Sequence, residues 1–323
     1  MNLFYDLIIL LLLFLFILPA VILLYHRRNQ PESWEGRHRK KSLLIILLLF
    51  LATTTILYGS FVEPKMLVIN EQTIDLPQIE EPIRIIFFSD VHLGPYKQSE
   101  YLKKIVDKII KLEPDLVLIG GDIIGNDGAN GLKELEYILP IKKLTEKYPT
   151  YAINGNHEYG LNMNSLKKGP IFMYPNLSRE TEEKMTALGV KYLTNDLEKI
   201  TIRDQSFYLF GGDEYWAGRL DPNNLNNRIE SISTIALIHN QSAIAVLEKY
   251  QINLMLAGHT HGGQIRLPFI GPIGIVDDVT PRAWYKGLIN LGQNYLFVSS
   301  GVGETGTRAR LFNPPEIVLL TIN

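Results

Sequence analysis

Two uninterrupted apolar stretches near the amino terminus constrain the fold of this chain more than any other feature. Leu7 to Leu24 contains 18 consecutive uncharged residues, and Leu43 to Val62 contains 20. At about 1.5 Å per helical residue, roughly 20 residues cross a ~30 Å hydrocarbon core. The pattern therefore predicts a transmembrane hairpin over residues 1–62, with helices at about 7–24 and 43–62.

A cleaved signal peptide and a buried soluble helix are the alternatives to this hairpin. The residues before the first apolar run include no Lys or Arg, and no small-residue cleavage site follows the run at once, so a signal peptide is disfavoured. A soluble core helix is disfavoured because two such runs are separated only by a polar turn. The hairpin remains the prediction.

The segment between the two apolar runs, residues 26–42, is basic. It contains Arg27, Arg28, Arg37, Arg39, Lys40 and Lys41. Cytoplasmic loops carry an excess of Lys and Arg, so this turn is expected in the cytoplasm of a multi-pass protein of the cell (inner) membrane. Both termini and all residues after Val62 are then expected outside the cytoplasm.

The overall composition excludes several classes of protein. The 32 Lys and Arg residues are offset by 34 Asp and Glu, for a formal net charge of −2. The chain therefore lacks the excess of basic residues that is typical of nucleic-acid-binding proteins. The chain has no Cys, which excludes a disulfide framework, a cysteine zinc site and a thiol nucleophile.

After a linker at 63–82, with room for one edge strand, apolar runs of strand length alternate with helical patterns. The predicted strands are Ile83–Ser89, Asp115–Ile119, Thr150–Ile153, Thr234–Ile238 and Ile252–Leu256. The predicted helices are Gln98–Leu112, Leu132–Tyr148 with a break at Pro140, and Gln241–Tyr250. The region Ile200–Gly211 and the last 30 residues are β-rich without helices. This alternation predicts one α/β domain over residues 83–323.

Residues of metal-ligand type follow each of these five strands. Of seven histidines, His26 and His38 lie in the basic turn, and the other five, His92, His157, His239, His259 and His261, all follow predicted strands together with Asp90, Asp122 and Asn156. Ligand sites of α/β sheets gather outside the carboxyl ends of the strands. Imidazole and carboxylate without thiol suit Mn²⁺, Fe or Zn²⁺, and this set is too large for one ion.

These residues, in this order, resemble the motifs of the calcineurin-like metallophosphoesterases. The matching segments are Asp90 to His92, Gly121-Asp122, Gly155 to Glu158, the lone His239, and Gly258 to His261. The resemblance extends over about Ile83 to Ile322 and implies a four-layer α/β/β/α sandwich. The segments after His261 and around Arg310 are similar to a bacterial membrane-associated branch that includes a UDP-2,3-diacylglucosamine pyrophosphatase.

The resemblance also implies a role for each residue. One metal ion would be held by Asp90, His92 and His261, and a second by Asn156, His239 and His259, with Asp122 bridging the two. Manganese is expected, with zinc and iron as alternatives. His157 matches a histidine that is not a ligand and would protonate the leaving oxygen. Glu158 would either orient His157 or cap the following turn.

Substrate contacts are expected from arginines and from two apolar loops. Arg266, Arg308 and Arg310 are candidates for a phosphate clamp, with surface solvation as the alternative. The loop Leu161–Leu177, with the basic pair Lys167-Lys168, and the loop Leu267–Val276 would form an acyl groove or an interfacial dock, or would cover the edges of the sheets.

The sequence therefore predicts a membrane-anchored dinuclear-metal phosphoesterase that acts on a lipid-linked phosphodiester or pyrophosphate, such as UDP-2,3-diacylglucosamine or a phospholipid. The alternatives are a phosphomonoesterase or general phosphodiesterase on soluble substrates, and a non-catalytic metal-binding scaffold. A nucleotide-linked lipid is made in the cytoplasm, whereas the charge pattern places the domain outside. A UDP-lipid substrate would therefore require the opposite orientation.

Overall fold

The computed structural model describes residues 2–126, 131–165, 169–276, 280–292 and 294–323. The helices in these ranges are α1 (Asn2–Asn29), α2 (Trp34–Arg37), α3 (Arg39–Leu57), α4 (Ser99–Ile110), α5 (Gly131–Glu134), α6 (Lys142–Thr145), α7 (Ser178–Ala187) and α8 (Ile244–Leu247). The strands are β1 (Val68–Ile74), β2 (Ile83–Phe88), β3 (Leu116–Ile119), β4 (Thr150–Ala152), β5 (Leu161–Ser165), β6 (Gly169–Phe172), β7 (Lys191–Tyr192), β8 (Asp196–Ile202), β9 (Gln205–Gly211), β10 (Thr234–Leu237), β11 (Leu254–Ala257), β12 (Arg266–Leu267), β13 (Gly271–Pro272), β14 (Gly287–Asn290), β15 (Tyr295–Val298) and β16 (Glu316–Ile322).

The two long amino-terminal helices, α1 and α3, pack against each other as a hairpin. Both continue into the segment that the sequence assigns to the turn: α1 runs to Asn29 and α3 begins at Arg39. Only 6% of the most apolar part of the first helix and 11% of that of the second are buried, unlike the core helices of a soluble protein. Their length and composition are sufficient to cross a membrane.

Two six-stranded sheets form the rest of the chain. The first has the order β1-β16-β2-β3-β4-β7, and the second has the order β14-β15-β11-β10-β9-β8. In the first sheet β2, β3, β4 and β7 are mutually parallel, and in the second β9, β10, β11 and β15 are parallel. The strand between residues 63 and 82 is β1, which lies at the edge of the first sheet beside β16.

The two sheets face each other across a shared apolar core. Along β2, Ile83, Ile85 and Phe87 belong to the layer between the sheets, where they meet β9, β10, β11 and β15. The intervening Ile86 and Phe88 face the outer layer of helices. This period of two is typical of a strand buried on both faces. With α4 and α7 outside the first sheet and α8 outside the second, the predicted four-layer α/β/β/α sandwich is confirmed.

Helix α4 follows the sequence prediction closely, but two predicted helices are interrupted. The first consists of α5, a 3-10 helix at Leu135–Ile141 and α6, because Pro140 has no amide hydrogen to donate. The second is α8 between short 3-10 helices at Gln241–Ala243 and Glu248–Tyr250. Helix α7 was not expected from sequence, because its buried side chains are mostly polar and show no apolar periodicity.

Contacts at the start of α1 and just after α3 tie the helical hairpin to the sandwich. Arg308 pairs with Asp6 of α1, and the Tyr5 hydroxyl donates to the Arg308 carbonyl over 3.0 Å. The carbonyl of Gly59, just after α3, accepts from the Arg310 amide at 2.8 Å. The buried carboxylate of Glu63 accepts from the Phe312 amide at 2.9 Å and also from the amide of Asn313. Both helices are therefore anchored to residues 308–313.

Candidate metal centre

The metal-ligand residues of the sequence converge where the carboxyl ends of the two sheets meet. Asp90 and His92 follow β2, Asp122 follows β3, Asn156 and His157 follow β4, His239 follows β10, and His259 and His261 follow β11. All eight are buried. Parallel strands place their carboxyl ends on one edge, and here two such edges lie side by side, so five loops share one site.

Asp90, His92 and His261 form the first group of this centre. The Nε2 atoms of His92 and His261 are 3.0 Å apart, and His261 Nε2 lies 3.6 Å from Asp90 Oδ1. Ligand atoms that share one ion at ~2.0–2.2 Å lie roughly 3–3.5 Å from each other. The three side chains therefore have the spacing of a common metal site.

Asn156, His239 and His259 form the second group. The side-chain oxygen Oδ1 of Asn156 lies 2.8 Å from His259 Nδ1 and 3.1 Å from His239 Nε2. The amide of Asn156 is oriented by its Nδ2, which donates to the Leu161 carbonyl at 2.7 Å. This hydrogen bond directs Oδ1 toward the two imidazoles.

Asp122 lies between the two groups. Its Oδ2 atom is 3.2 Å from His239 Nε2 in the second group and 3.5 Å from His92 Nε2 in the first. Its Oδ1 atom accepts from the backbone amide of His157 at 2.9 Å. A Cβ at Gly155 would collide with this oxygen, which explains why a glycine precedes Asn156. Asp122 is thus the residue placed to serve both groups.

The backbone around the centre is strained at five of its residues. Asp90, His92, Asp122, His259 and His261 have φ values of 57°, 49°, 51°, 68° and 50°. Non-glycine residues rarely adopt positive φ, at a cost of about 1–3 kcal/mol each, and such residues cluster at functional sites. This strain directs the side chains inward from sharp turns and is typical of a binding centre.

The charges of the buried centre favour divalent cations. Burial lowers the pKa of His92 and His261 well below the usual value for imidazole, so both rings are neutral, as metal ligands must be. Burial alone would also lower the pKa of His239, but the Asp122 carboxylate raises it to about 10. Burial raises the pKa of Asp90 to about 6. The protons on Asp90 and His239 thus balance the charges of the Asp90 and Asp122 carboxylates, and bound divalent cations would replace those protons.

His157 lies beside the centre with its ring oriented by the backbone. Its Nδ1 atom donates to the carbonyl of Gly125 at 2.5 Å, and the ring meets that of His92 edge to face with centroids 4.5 Å apart. Because Nδ1 carries the proton of this hydrogen bond, Nε2 is the nitrogen available for proton transfer. The side-chain amide of Asn126 supports the same turn by donating to the His157 carbonyl at 2.8 Å.

Glu158 takes neither of the two roles expected from the sequence, because its carboxylate binds backbone amides that precede it in the chain. Its buried carboxylate accepts four backbone amides, from Asp122 at 2.9 Å, Ile123 at 2.8 Å, Ile124 at 3.2 Å and Gly155 at 2.8 Å. Among the residues that the structure describes, the hydrogen bonds to this carboxylate come from backbone amides and not from the His157 ring. Glu158 therefore joins the loop after β3 to the loop after β4 and positions both.

Two further groups near the centre were missed by the sequence analysis. The Trp216 ring packs edge to face on His259 with centroids 4.2 Å apart. The Tyr159 hydroxyl donates to Asp213 Oδ1 at 2.6 Å. Asp213 and the buried Glu214 follow β9, so polar residues after that strand were the available signal. Nothing in the sequence pattern points to Trp216.

The structure does not place all three predicted arginines at the centre. Arg310 is fully buried, and its guanidinium donates to the carbonyls of Ser300 at 2.7 Å and Asn313 at 3.0 Å, so it is unavailable to a substrate. Arg308 stacks on Tyr96, 3.6 Å from the ring centroid, and holds the start of α1. Arg266 lies beside the histidine loop and is only half-buried, with Nη1 donating to the Gly262 carbonyl at 2.7 Å.

The two apolar loops of the sequence are both β-hairpins. β5 and β6 pair in the first, and Phe172 and Met173 are exposed there. Lys167 and Lys168 lie outside the described residues. β12 and β13 pair in the second, and a Cβ at Gly263 would collide with Pro272 of this hairpin. The second hairpin is therefore seated directly on the loop that carries His261.

The sandwich and this centre agree with comparisons to known proteins. The family model described as calcineurin-like phosphoesterase matches residues 83–263. The uncharacterized metallophosphoesterase YkuE of Bacillus subtilis is 30% identical over 274 residues, which cover 82% of this chain and 88% of that protein. The phosphodiesterase YaeI of Escherichia coli is 28% identical over 75% of this chain and 82% of its own length. The UDP-2,3-diacylglucosamine pyrophosphatase LpxG of Chlamydia muridarum is 25% identical over 82% of this chain and 92% of its own length.

The chain therefore belongs to the calcineurin-like phosphoesterase family. It is a metal-dependent hydrolase of phosphoric ester or diphosphate bonds, in a family that uses two divalent metal ions. The donor groups around Asp90, Asp122 and Asn156 fit such a pair of ions, because the two sets of imidazoles are joined by one carboxylate.

Asp122→Ala tests the bridging position. We expect loss of bound metal from both groups and loss of activity on every substrate, because one carboxylate serves both. Metal content per chain is measured by mass spectrometry, with Asp107→Ala as a control at a partly exposed carboxylate paired with Lys103 and Lys143. Near-normal turnover of Asp122→Ala would contradict a shared ligand.

His157→Ala separates proton transfer from metal binding. We expect two metal ions per chain to remain while kcat falls by roughly 10²–10⁴-fold, the usual contribution of a general acid. The loss should be smaller for a nitrophenyl leaving group, which needs little protonation. His239→Ala is the contrasting variant and should lose metal. If His157→Ala loses metal as well, His157 is a ligand.

Proposed function

We propose that this protein is a membrane-anchored phosphodiesterase or pyrophosphatase whose substrate is a lipid-linked phosphate. The observation that carries the proposal is the position of Asp122, 3.2 Å from His239 and 3.5 Å from His92, between two complete ligand groups. A shared carboxylate is the arrangement required for two ions about 3.5–4 Å apart.

Each group of the centre has a separate part in this proposal. Asp90, His92 and His261 would hold one ion, and Asn156, His239 and His259 the other, with manganese as the expected metal. Two divalent cations in such a site lower the pKa of water and neutralise the charge of phosphoryl oxygens. His157, held through Nδ1 by Gly125, would donate the proton from Nε2 to the departing oxygen.

Arg266 would add a positive charge at the edge of the centre. Its guanidinium is half-buried, and Nη1 is held by the Gly262 carbonyl next to His261. A guanidinium held in one orientation is well suited to bind phosphate oxygens through its remaining N–H groups. Arg266 is therefore the one of the three predicted arginines that we retain as a substrate contact.

The lipid-linked substrate class is supported by the helical hairpin and by one relative. α1 and α3 are long and apolar enough to span a membrane and present most of their apolar surface outward. LpxG, a relative at 25% identity, is named for action on a diacylated nucleotide sugar. An enzyme held at a membrane meets lipid substrates at high local concentration.

Metal reloading and substrate comparison test this function. The full chain is stripped with a chelator and reloaded separately with Mn²⁺, Zn²⁺ or Fe²⁺. We expect Mn²⁺ to restore cleavage of bis(4-nitrophenyl) phosphate and of a vesicle-borne lipid phosphodiester or diphosphate. Faster cleavage of 4-nitrophenyl phosphate than of either diester would favour a phosphomonoesterase. Cleavage of soluble diesters alone would favour a general phosphodiesterase.

The charge pattern supports an extracytoplasmic site. The basic residues of the turn, including Arg27 and Arg39, lie at the end of the hairpin that is remote from the sandwich. We expect a periplasm-active reporter fused after Asn323 to be active and a cytoplasm-active reporter to be silent. The reverse pattern would place the enzyme in the cytoplasm, where a UDP-lipid is the better substrate.

A further inference from the structure

A cleft of about 500 Å³ opens directly beside two residues of the metal centre. His259 and His261 line its inner end. One wall is formed by Ile265, Ile273, Ile275 and Val276, from the β12–β13 hairpin and the residues beside it, and the opposite wall by residues 305–307. Apart from the two histidines, the described residues that line the cleft carry no ionisable side chain. Such a lining suits an apolar ligand with a polar group at its inner end.

Each wall of the cleft is attached to one of the two long helices. On one side, β12 continues from residues 264–265, which bond to Leu311, and the neighbouring Arg310 amide donates to the Gly59 carbonyl at the end of α3. On the other side, residues 305–307 lead into Arg308, which pairs with Asp6 of α1. The cleft therefore lies between the two segments through which the helical hairpin of α1 and α3 joins the sandwich.

The β12–β13 hairpin and the residues beside it expose a group of apolar side chains. At its turn Phe269 is fully exposed and Ile270 is more than half exposed. Ile273 and Ile275 line the cleft and are also more than half exposed. Phe312, next to the residues that hold α3, is also exposed. Exposed apolar side chains grouped at this density mark a surface that contacts another apolar phase. Phe312 lies between the two parts, because the neighbouring Leu311 carbonyl accepts from the Arg266 amide of β12 and the Phe312 amide donates to Glu63 just after α3.

We propose that the β12–β13 hairpin rests in the lipid interface and that its cleft receives an acyl chain of a lipid whose phosphate reaches the metal centre. We assign an acyl chain to the cleft because the cleft opens between the points where α1 and α3 join the sandwich, and both helices are long and apolar enough to span a bilayer. This inference rests on the proposed function and names the path by which its substrate enters.

The two walls are held at a defined spacing. The side chain of Gln264 donates through Nε2 to the carbonyls of Thr305 at 3.2 Å and Thr307 at 2.5 Å, and its Oε1 accepts from the Thr305 amide at 3.0 Å. Gln264 joins both walls at the floor of the cleft, so the groove is present before a ligand arrives. A preformed apolar groove takes up a chain without a large ordering cost.

Photocrosslinking of the full chain in phosphatidylcholine vesicles tests this inference. The vesicles contain a phosphatidylcholine with a diazirine on one acyl chain, and labelled peptides are located by mass spectrometry. We expect labelling of residues 264–276 in addition to α1 and α3, which serve as the internal reference. Label confined to the helices would overturn the inference.

Matched variants show whether the label depends on the cleft wall. Ile273→Asp places a charge on the wall, whereas Leu139→Asp changes a side chain of almost equal exposure, 54% against 52%, in the outer helical layer. We expect Ile273→Asp to lower labelling of residues 264–276 by roughly fivefold or more relative to the helices, because contact between a charge and an acyl chain is unfavourable. Leu139→Asp should leave the ratio unchanged.

Further outcomes separate this inference from the proposed function. Ile275→Asp is a second variant of the same wall and should act like Ile273→Asp. Unchanged labelling in both variants would overturn the cleft as an acyl site. If the cleft is labelled but no vesicle-borne phosphate is hydrolysed, the acyl site is supported and the proposal of a lipid-linked substrate is contradicted. Absence of label from α1 and α3 would overturn the membrane anchor and the inference together.

Discussion

The burial of two carboxylates among imidazoles is the constraint on which the rest of this structure depends. Asp90 and Asp122 are almost inaccessible to solvent, and each lies within 4.0 Å of His239 Nε2. Burying charge is unfavourable unless it is paired or coordinates a cation. Divalent ions would satisfy that requirement and would supply the chemistry of the family.

Cross-links between loops keep this unfavourable arrangement in place. Asp90 Oδ1 accepts from the amide of His259 at 2.9 Å, which joins a loop of the first sheet to one of the second. His239 Nδ1 donates to the Gly120 carbonyl at 2.7 Å in the opposite direction. Together with the four amides bound by Glu158, these contacts join the loops of both sheets around the metal centre into one hydrogen-bonded network. Preorganised ligands of this kind need little rearrangement when metal binds.

This hydrogen-bonded network extends to the residues just after the helical hairpin. Glu63 holds the amides of Phe312 and Asn313, and the Asn313 side chain donates to the His261 carbonyl at 2.6 Å. Asn313 therefore connects Glu63, just after the helical hairpin, with the metal-ligand residue His261. If the helical hairpin spans a membrane as proposed, these contacts would also determine the orientation of the metal centre relative to that membrane.

The sequence by itself determined the elements whose signals are local. Strand-length apolar runs, helix α4 and the histidines after the strands follow from periodicity and position along the chain, because those depend on neighbouring residues. Tertiary structure alone decided that Arg310 is enclosed by backbone carbonyls, that Glu158 joins two loops, and that Trp216 packs on His259. Each of these depends on segments far apart in the chain being brought together, and no spacing in a single sequence encodes that distance.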